Sequence, residues 1–374
     1  MKIAVLGAGM VGRAIALDLA IKYRVTSFDV SDNNLTILKC RNGAIETKKA
    51  DLQEFSSYGE WLSDFDMVVT AVPGFMGYKC LEAVISCGKN VADISFFPED
   101  ALQLDALAKQ KGVTVITDVG VAPGMSNLIL GYFNTQMKVT SFECYVGGLP
   151  LNPQPPFFYK APFSPIDVIE EYIRPARLKE KGKIVTRPAL TEREMMHFDG
   201  VGELEAFNTD GLRSLLFTLP DIPDMKEKTL RYPGHIDLIL KLKQAGFFNE
   251  KAVEIKGQKI SPLEFSSRVL IDSWKLGEEE EELTVMKVIV DGESNGKNIR
   301  VDYSMLDKYD TKSKTSSMSR TTGYTCTAAV ELINKKLFTE KGVFPPELVG
   351  SKKECFDYVL QHLNERGVKW IRNL

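Results

Sequence analysis

The strongest constraint on this chain lies in its first twenty residues. Met1-Lys2-Ile3-Ala4-Val5-Leu6 is a short apolar run with the character of a buried strand. Gly7-Ala8-Gly9-Met10-Val11-Gly12 follows at once, and Arg13 to Ile21 reads as a helix. Strand, G-x-G-x-x-G and helix in that order form the turn that binds a dinucleotide. Gly7 permits the sharp turn, Gly9 lets the backbone approach a pyrophosphate, and Gly12 lets the helix sit close to the strand. The helix start, at Met10 and Val11, presents free N–H groups and a partial positive charge to the phosphates. Reading the same run as a secretory leader conflicts with its three glycines, with Arg13 and Asp18, and with a helix that outlasts any cleavage site.

A second strand, Tyr23 to Phe28, ends at Asp29. A carboxylate there can accept both hydroxyls of an adenine ribose and would repel a 2′-phosphate. Val30-Ser31-Asp32-Asn33 offers no cation to hold such a phosphate, so NAD is the expected cofactor. From residue 1 to about 122, short apolar strands alternate with helical stretches: Asp66 to Gly74, the helix near Tyr78 to Ser86, Asn90 to Ile94, Asp100 to Lys111, and Val113 to Thr117. That repeat predicts a doubly wound parallel sheet of Rossmann type, in an α/β fold. Ligands of such sheets lie beyond the carboxyl ends of the strands. Val72, Pro73, Asp93 and Asp118 stand at those ends and are placed to face the nicotinamide half.

The pattern changes after Gly124. A helix is expected from Ser126 to Met137 with Ser126 as its cap, then a strand over Thr140 to Val146 and a rigid, proline-rich connection from Pro150 to Pro156. Ser164-Pro165-Ile166-Asp167 has the form of a helix start, with a hydroxyl cap, proline at the first position and an acid in the first turn. Thr284 to Val290 and Asn298 to Met305 alternate like paired strands around a turn. Residues 123–310 therefore read as an α+β substrate-binding and dimerisation domain on a mostly antiparallel sheet. Residues 311–374, helical at Ser316 to Lys336 and Lys352 to Arg366 with a last strand at Val368 to Ile371, are expected to return and complete the domain formed by residues 1–122.

Composition excludes several classes. A net charge of −3 gives no electrostatic case for nucleic acid or membrane partners. The six cysteines form no CxxC pair, the three histidines stand at no ligand spacing, and no metal site is expected. Scattered, reduced cysteines suit the cytoplasm. The acidic run Glu278 to Glu282 reads as a solvated loop.

Asp118-Val119-Gly120-Val121-Ala122-Pro123-Gly124-Met125-Ser126-Asn127 resembles the hinge motif of the saccharopine dehydrogenase family. Tyr159 to Pro165, Glu170 to Arg177, Phe207 to Ser214, Thr229 to His235 and Met318 to Tyr324 fit the same family, in order and over nearly the whole chain. Within it, the likeness is closest to the lysine 6-dehydrogenase branch. The resemblance implies NAD-dependent oxidation of the ε-amine of L-lysine to 2-aminoadipate 6-semialdehyde, which cyclises to piperideine-6-carboxylate, with release of ammonia. Saccharopine and carboxynorspermidine-type substrates are the alternatives. The saccharopine branch carries an acid before the Pro-Gly of the hinge, where this chain has Ala122. A non-catalytic NAD-binding sensor is the third reading. Family members are usually homodimers or larger, and a free sheet face suits such an interface.

An amine yields hydride only when neutral, and a free lysine ε-amine has a pKa of about 10.4. The site must therefore remove a proton and hold an α-carboxylate. The expected catalytic residues are Asp93, Lys160 and His235. Asp93 would receive or orient the amine. Lys160 would act as a base or hold a carboxylate. His235, at a helix start that lowers its pKa, would serve as a neutral base or hydrogen-bond partner. Asp118, Tyr159, Arg213 and Arg231 are the expected substrate-binding residues, with Arg213 placed on a helix after Gly211. For Arg213 and Arg231 an interdomain salt bridge is the competing reading. Arg174 and Arg177 read as neighbours on one helix face, more often ion-paired than substrate-facing.

Overall fold

Short strands make the first sheet, and central ones such as Lys2–Leu6 and Met67–Thr70 are almost continuously apolar and buried, as expected where both faces are covered by helices. The computed structural model describes residues 1–163 and 165–373. The first half runs β1 (Lys2–Leu6), α1 (Met10–Leu19), β2 (Arg24–Asp29), α2 (Asp32–Arg41), β3 (Glu46–Lys49), α3 (Tyr58–Trp61), β4 (Met67–Thr70), α4 (Gly74–Ser86), β5 (Asn90–Asp93), α5 (Asp105–Lys111) and β6 (Thr114–Ile116).

The hinge then leads into α6 (Met125–Asn134), β7 (Lys138–Pro150), α7 (Pro165–Ile173), β8 (Ala176–Glu180), β9 (Lys183–Arg187), β10 (Glu194–Phe198) and β11 (Gly202–Asn208). Next come α8 (Leu215–Thr218), β12 (Asp224–Arg231), α9 (His235–Gln244), the small hairpin β13 (Val253–Ile255) and β14 (Gln258–Ile260), and α10 (Pro262–Trp274). The chain closes with β15 (Glu282–Ser294), β16 (Lys297–Lys308), α11 (Ser317–Asn334), β17 (Gly342–Phe344), α12 (Pro346–Gly350), α13 (Lys353–Glu365) and β18 (Trp370–Asn373).

The first sheet has seven parallel strands in the order β17-β6-β5-β4-β1-β2-β3. The order reverses between β1 and β4, and the crevice at that switch point is where a dinucleotide lies in such folds. The second sheet has nine strands and is mostly antiparallel, with β7 at its centre between β12, which runs parallel to it, and β15. Asn295-Gly296, both at positive φ, form the two-residue turn that pairs β15 with β16. The α/β fold with a Rossmann sheet and a mostly antiparallel second sheet matches the sequence reading.

The returning C-terminal segment serves both sheets. β17 extends the parallel sheet beside β6, and β18 pairs with β16. α11 packs on α1, where Gly323 leaves room for Ile15. Asp18 of α1 accepts Thr327 Oγ1 at 2.6 Å and Arg366 Nε at 2.8 Å, so residues far apart in the chain are locked together.

Three local expectations are corrected, and a fourth is not reached. The cap of α6 is Gly124 at φ 140°, and Ser126 lies inside the helix. The cap expected at Ser164 lies outside the described residues. Arg174 and Arg177 do not share a helix: α7 ends at Ile173, and Arg177 lies in β8. The acidic run is not solvated throughout. Glu282 is buried and accepts the Ser317 N–H at the start of α11, and Glu278 pairs with Arg13 at 2.5 Å. Among the described residues, no helix is long and apolar enough to cross a membrane.

Candidate active site

A cavity of about 790 Å³ lies between the two sheets. One wall is the glycine turn. Gly7 sits at φ 105°, and a Cβ there would collide with the Ala71 carbonyl. A Cβ on Gly12 would collide with the Gly7 carbonyl. Gly9 differs: a Cβ there would meet nothing within 4 Å, because the space beside it is the cavity itself. Gly9 is also the N-cap of α1 and supplies no side-chain cap, so the first N–H groups of the helix open toward that space.

Asp29 ends β2 with its carboxylate turned back on the turn. It accepts Ala8 N–H at 2.7 Å, Ser31 N–H at 2.7 Å and Asn34 Nδ2 at 3.3 Å. It both lines the cavity and fixes the glycine turn. Met10, Val11, Val72 and Pro73 line the same wall, so all eight expected cofactor residues meet there. Near Asp29 the lining is Val30, Ser31, Asn33, Asn34, Asp51 and Gln53, which includes no cation. These features fit a nicotinamide dinucleotide.

The opposite wall is built on β12. Strand periodicity of two puts Glu227, Thr229 and Arg231 on one face, and all three line the cavity. Arg231 is 2% exposed. Its Nη2 meets Glu171 at 3.0 Å, its Nε donates to Tyr172 Oη at 3.0 Å, and its Nη1 donates to the Leu230 carbonyl. The guanidinium also lies 4.3 Å from the Tyr159 ring centre. Burial pushes Glu171 up to about 7 against the pull of Arg231. Glu227 is 7% exposed, and burial, with Glu171 and Asp210 adding, pushes it up to about 8.

The remaining expected residues scatter. Asp118 lines the cavity, yet its Oδ2 accepts Arg213 Nε at 2.9 Å. Arg213 is held away from the main cavity by that bond and by the Phe97 carbonyl at 2.7 Å. It lies at φ 46° ahead of the short α8, not on a helix.

Asp93 is fully buried beneath the cavity floor, where it accepts Thr70 Oγ1, Thr117 Oγ1 and Ser95 N–H. Burial, with Asp118 adding, raises it to about 6. Its bonds knit the ends of β4, β5 and the segment after β6, and it is not among the residues that line the cavity.

Lys160 points away, and its Nζ donates to the Ser273 carbonyl at 3.1 Å. Tyr159 packs behind Arg231.

His235 also stands behind the wall. Its Nε2 meets Tyr172 Oη at 2.9 Å and its Nδ1 meets the Phe157 carbonyl at 2.8 Å. Because a carbonyl only accepts, Nδ1 carries the proton and Nε2 accepts from Tyr172. Burial first, and Arg231 second, lower His235 to about 3. Desolvation is thus the first cause that keeps this imidazole neutral.

Sequence reasoning missed Glu171, Tyr172 and Glu227. The signal for Glu227 was available: once Arg231 is given to a site, period-two alternation brings Glu227 to the same face.

Sequence profiles agree with this architecture. One described as the saccharopine dehydrogenase NADP binding domain matches residues 3–116, and one described as the saccharopine dehydrogenase C-terminal domain matches residues 120–368. This chain belongs to the saccharopine dehydrogenase family. Among curated members and relatives, a saccharopine dehydrogenase [NADP(+), L-glutamate-forming] of Schizosaccharomyces pombe is 24% identical over 67% of this chain and 59% of its own length. An alpha-aminoadipic semialdehyde synthase of Arabidopsis thaliana is 24% identical over 56% of this chain, which spans only 21% of that protein. A carboxyaminopropylagmatine dehydrogenase of Synechocystis is 22% identical over 99% of this chain and 96% of its own length. The apo saccharopine dehydrogenase (L-Glu forming) of Saccharomyces cerevisiae has the same fold, with a TM-score of 0.80 at 19% identity over the full length of both chains.

Proposed function

We propose that this family member is a nicotinamide-dependent dehydrogenase that oxidises the ε-amine of L-lysine, with NAD as its cofactor. The observation that carries the reading is the fixed guanidinium of Arg231 in a wall that also presents Glu171, Asp210 and Glu227. Such a wall suits an amino acid that brings one carboxylate and an additional cation. Three of the five N–H donors of Arg231 are engaged within the protein, which leaves donors for a substrate carboxylate.

When bound, the oxidised nicotinamide accepts a hydride. The substrate carbon gives up that hydride with both electrons of its C–H bond while the nitrogen lone pair forms a C=N bond. Water then adds to the carbon, ammonia leaves, and the aldehyde cyclises with the remaining amine. The protein's part is to bind, orient and limit water. Phe96, Phe163, Leu276 and Met318 supply apolar lining for that purpose. Asp29, with no lysine or arginine among the lining residues Val30, Ser31, Asn33 and Asn34 that follow it, favours a free ribose over a 2′-phosphate.

One feature favours a second reading. Arg174, which meets Glu170 at 3.4 Å, and Lys275 also line the cavity, and two more cations would suit the additional carboxylates of saccharopine. The test is reduction of NAD and NADP with L-lysine, L-saccharopine and carboxyaminopropylagmatine side by side. Lysine turnover with a cyclic imine product is expected. Turnover on saccharopine alone would replace the lysine reading, and tight cofactor binding without turnover would leave a sensor.

A further inference from the structure

Buried polar groups in folded proteins are almost always partnered, and an exception calls for a reason. Three acids of this cleft face guanidinium groups: Asp118 faces Arg213, Asp210 faces Arg177, and Glu171 faces Arg231. Glu227 does not follow them. Its Oε2 is buried and has no hydrogen-bond partner among the described residues. The loop across from it is shaped around that carboxyl. A Cβ on Gly211 would overlap the Glu227 carboxylate, so the absent side chain leaves the room that Glu227 fills.

We propose that Glu227 is the catalytic base that takes the proton from the substrate amine, and that Gly211 is glycine to keep that carboxyl in the cavity wall. The proposal rests on the amine-dehydrogenase reading above.

The charges around Glu227 explain how the base is armed. Glu171 of α7 and Asp210 after β11 disfavour its ionised form, and Arg213 ahead of α8 favours it. The Cys144 thiol, paired in register on β7, is buried and neutral, and Arg231 on the same strand is engaged with Glu171. With its pKa raised to about 8, the empty site holds the carboxyl protonated near neutral pH. An arriving ammonium brings the missing countercharge, and one proton leaves to water. Within the complex an N–H bond breaks, its electron pair stays on nitrogen, and an O–H bond forms on Glu227. The freed lone pair is the one that expels hydride.

The test is titration of L-lysine into the protein–NADH complex near pH 7, by calorimetry in two buffers of different ionisation enthalpy. NADH blocks turnover, so the readout is proton release. The wild type is expected to release close to one proton and Glu227→Gln almost none. In steady state, Glu227→Gln should lose more than about 100-fold in kcat, the scale of general-base loss, with the NAD KM nearly unchanged. Glu227→Asp should retain proton release and part of kcat. The Gln variant removes a buried acid without changing shape, so its melting temperature should equal or exceed that of the wild type. Unchanged proton release in Glu227→Gln, or a kcat within about threefold of the wild type, would overturn the assignment. A wild type that releases the proton yet oxidises no amine would retain Glu227 as an amine ligand and overturn the dehydrogenase reading. A wild type that binds no amine overturns both.

Discussion

Arg213 and Asp118 hold the two walls of the cleft together: Nε meets Oδ2 at 2.9 Å, and both side chains are buried. Asp118 follows the last main strand of the parallel sheet, while Arg213 stands between β11 and α8 of the other domain. The guanidinium also binds the Phe97 carbonyl and lies 4.6 Å from the Phe96 ring centre. Removing one partner of a buried pair strands the other, at a cost of about 3–5 kcal/mol. Arg213→Ala should therefore lower the unfolding free energy by that scale, read in urea as a lower midpoint at unchanged slope, and weaken cofactor and amino acid binding together. A selective rise in the amino acid KM, with normal stability, would return Arg213 to the substrate.

The glycine turn separates cofactor binding from folding. Gly12→Ala would drive a methyl into the Gly7 carbonyl, so it should destabilise the protein as well as impair binding. Gly9→Ala meets no protein atom within 4 Å. It should leave the melting temperature unchanged and raise the NADH dissociation constant by at least about tenfold, because the methyl occupies the path of the pyrophosphate. Fluorescence titration beside a thermal melt checks both. Normal NADH binding by the Gly9 variant would place the phosphates elsewhere.

The contrast between these residues shows what a sequence can carry. The dinucleotide turn is local: eight cofactor residues fall within three short segments, and spacing alone brings them together. The second sheet is different. Its period-two strands show that a sheet exists, but β7 pairs with β12 and β15 across long separations that no local pattern specifies. The substrate wall depends on that pairing. Arg231 was legible as a cation near a site. Its partner Glu171 comes from a helix sixty residues away, at 3.0 Å. Lys160 looked reactive because it adjoins a tyrosine near the cleft, yet one residue of strand or turn phase decides which way a side chain points, and its Nζ faces Ser273. Asp93 and His235 carry perturbed pKa values because they are buried, and burial alone gives a group the titration of a catalytic one.

Asp29 has two duties, and one substitution exposes both. Its carboxylate accepts from Ala8 and Ser31 backbone N–H groups as well as presenting to the cavity. Asp29→Ala should weaken NADH binding and reduce the preference for NADH over NADPH, since the group that repels a 2′-phosphate is gone. It should also lower stability by about 1–3 kcal/mol, the cost of leaving buried donors unmade. Dissociation constants for both reduced cofactors give the ratio. An unchanged ratio would remove Asp29 from ribose recognition.

His235 gives the clearest pH prediction. Its pKa is lowered to about 3 in the folded protein by burial and by Arg231, against an ordinary value near 6.5. A lowered histidine pKa means that the unfolded chain binds the extra proton first. Stability is therefore unaffected above about pH 6.5 and falls as pH drops from there toward 3, by about 1.4 kcal/mol per unit. His235→Asn should flatten that acid-side decline while lowering stability at pH 8, because Tyr172 Oη loses its acceptor. In kinetics, His235 reaches Arg231 through Tyr172 and packs on Tyr159, which also stacks on Arg231, so it acts as a positioning residue. The variant should raise the amino acid KM more than it lowers kcat and should keep the shape of the kcat pH profile. A kcat profile that loses its acid limb on this substitution would make His235 the proton acceptor after all, and would move the base from the β12 face to the far side of Tyr172.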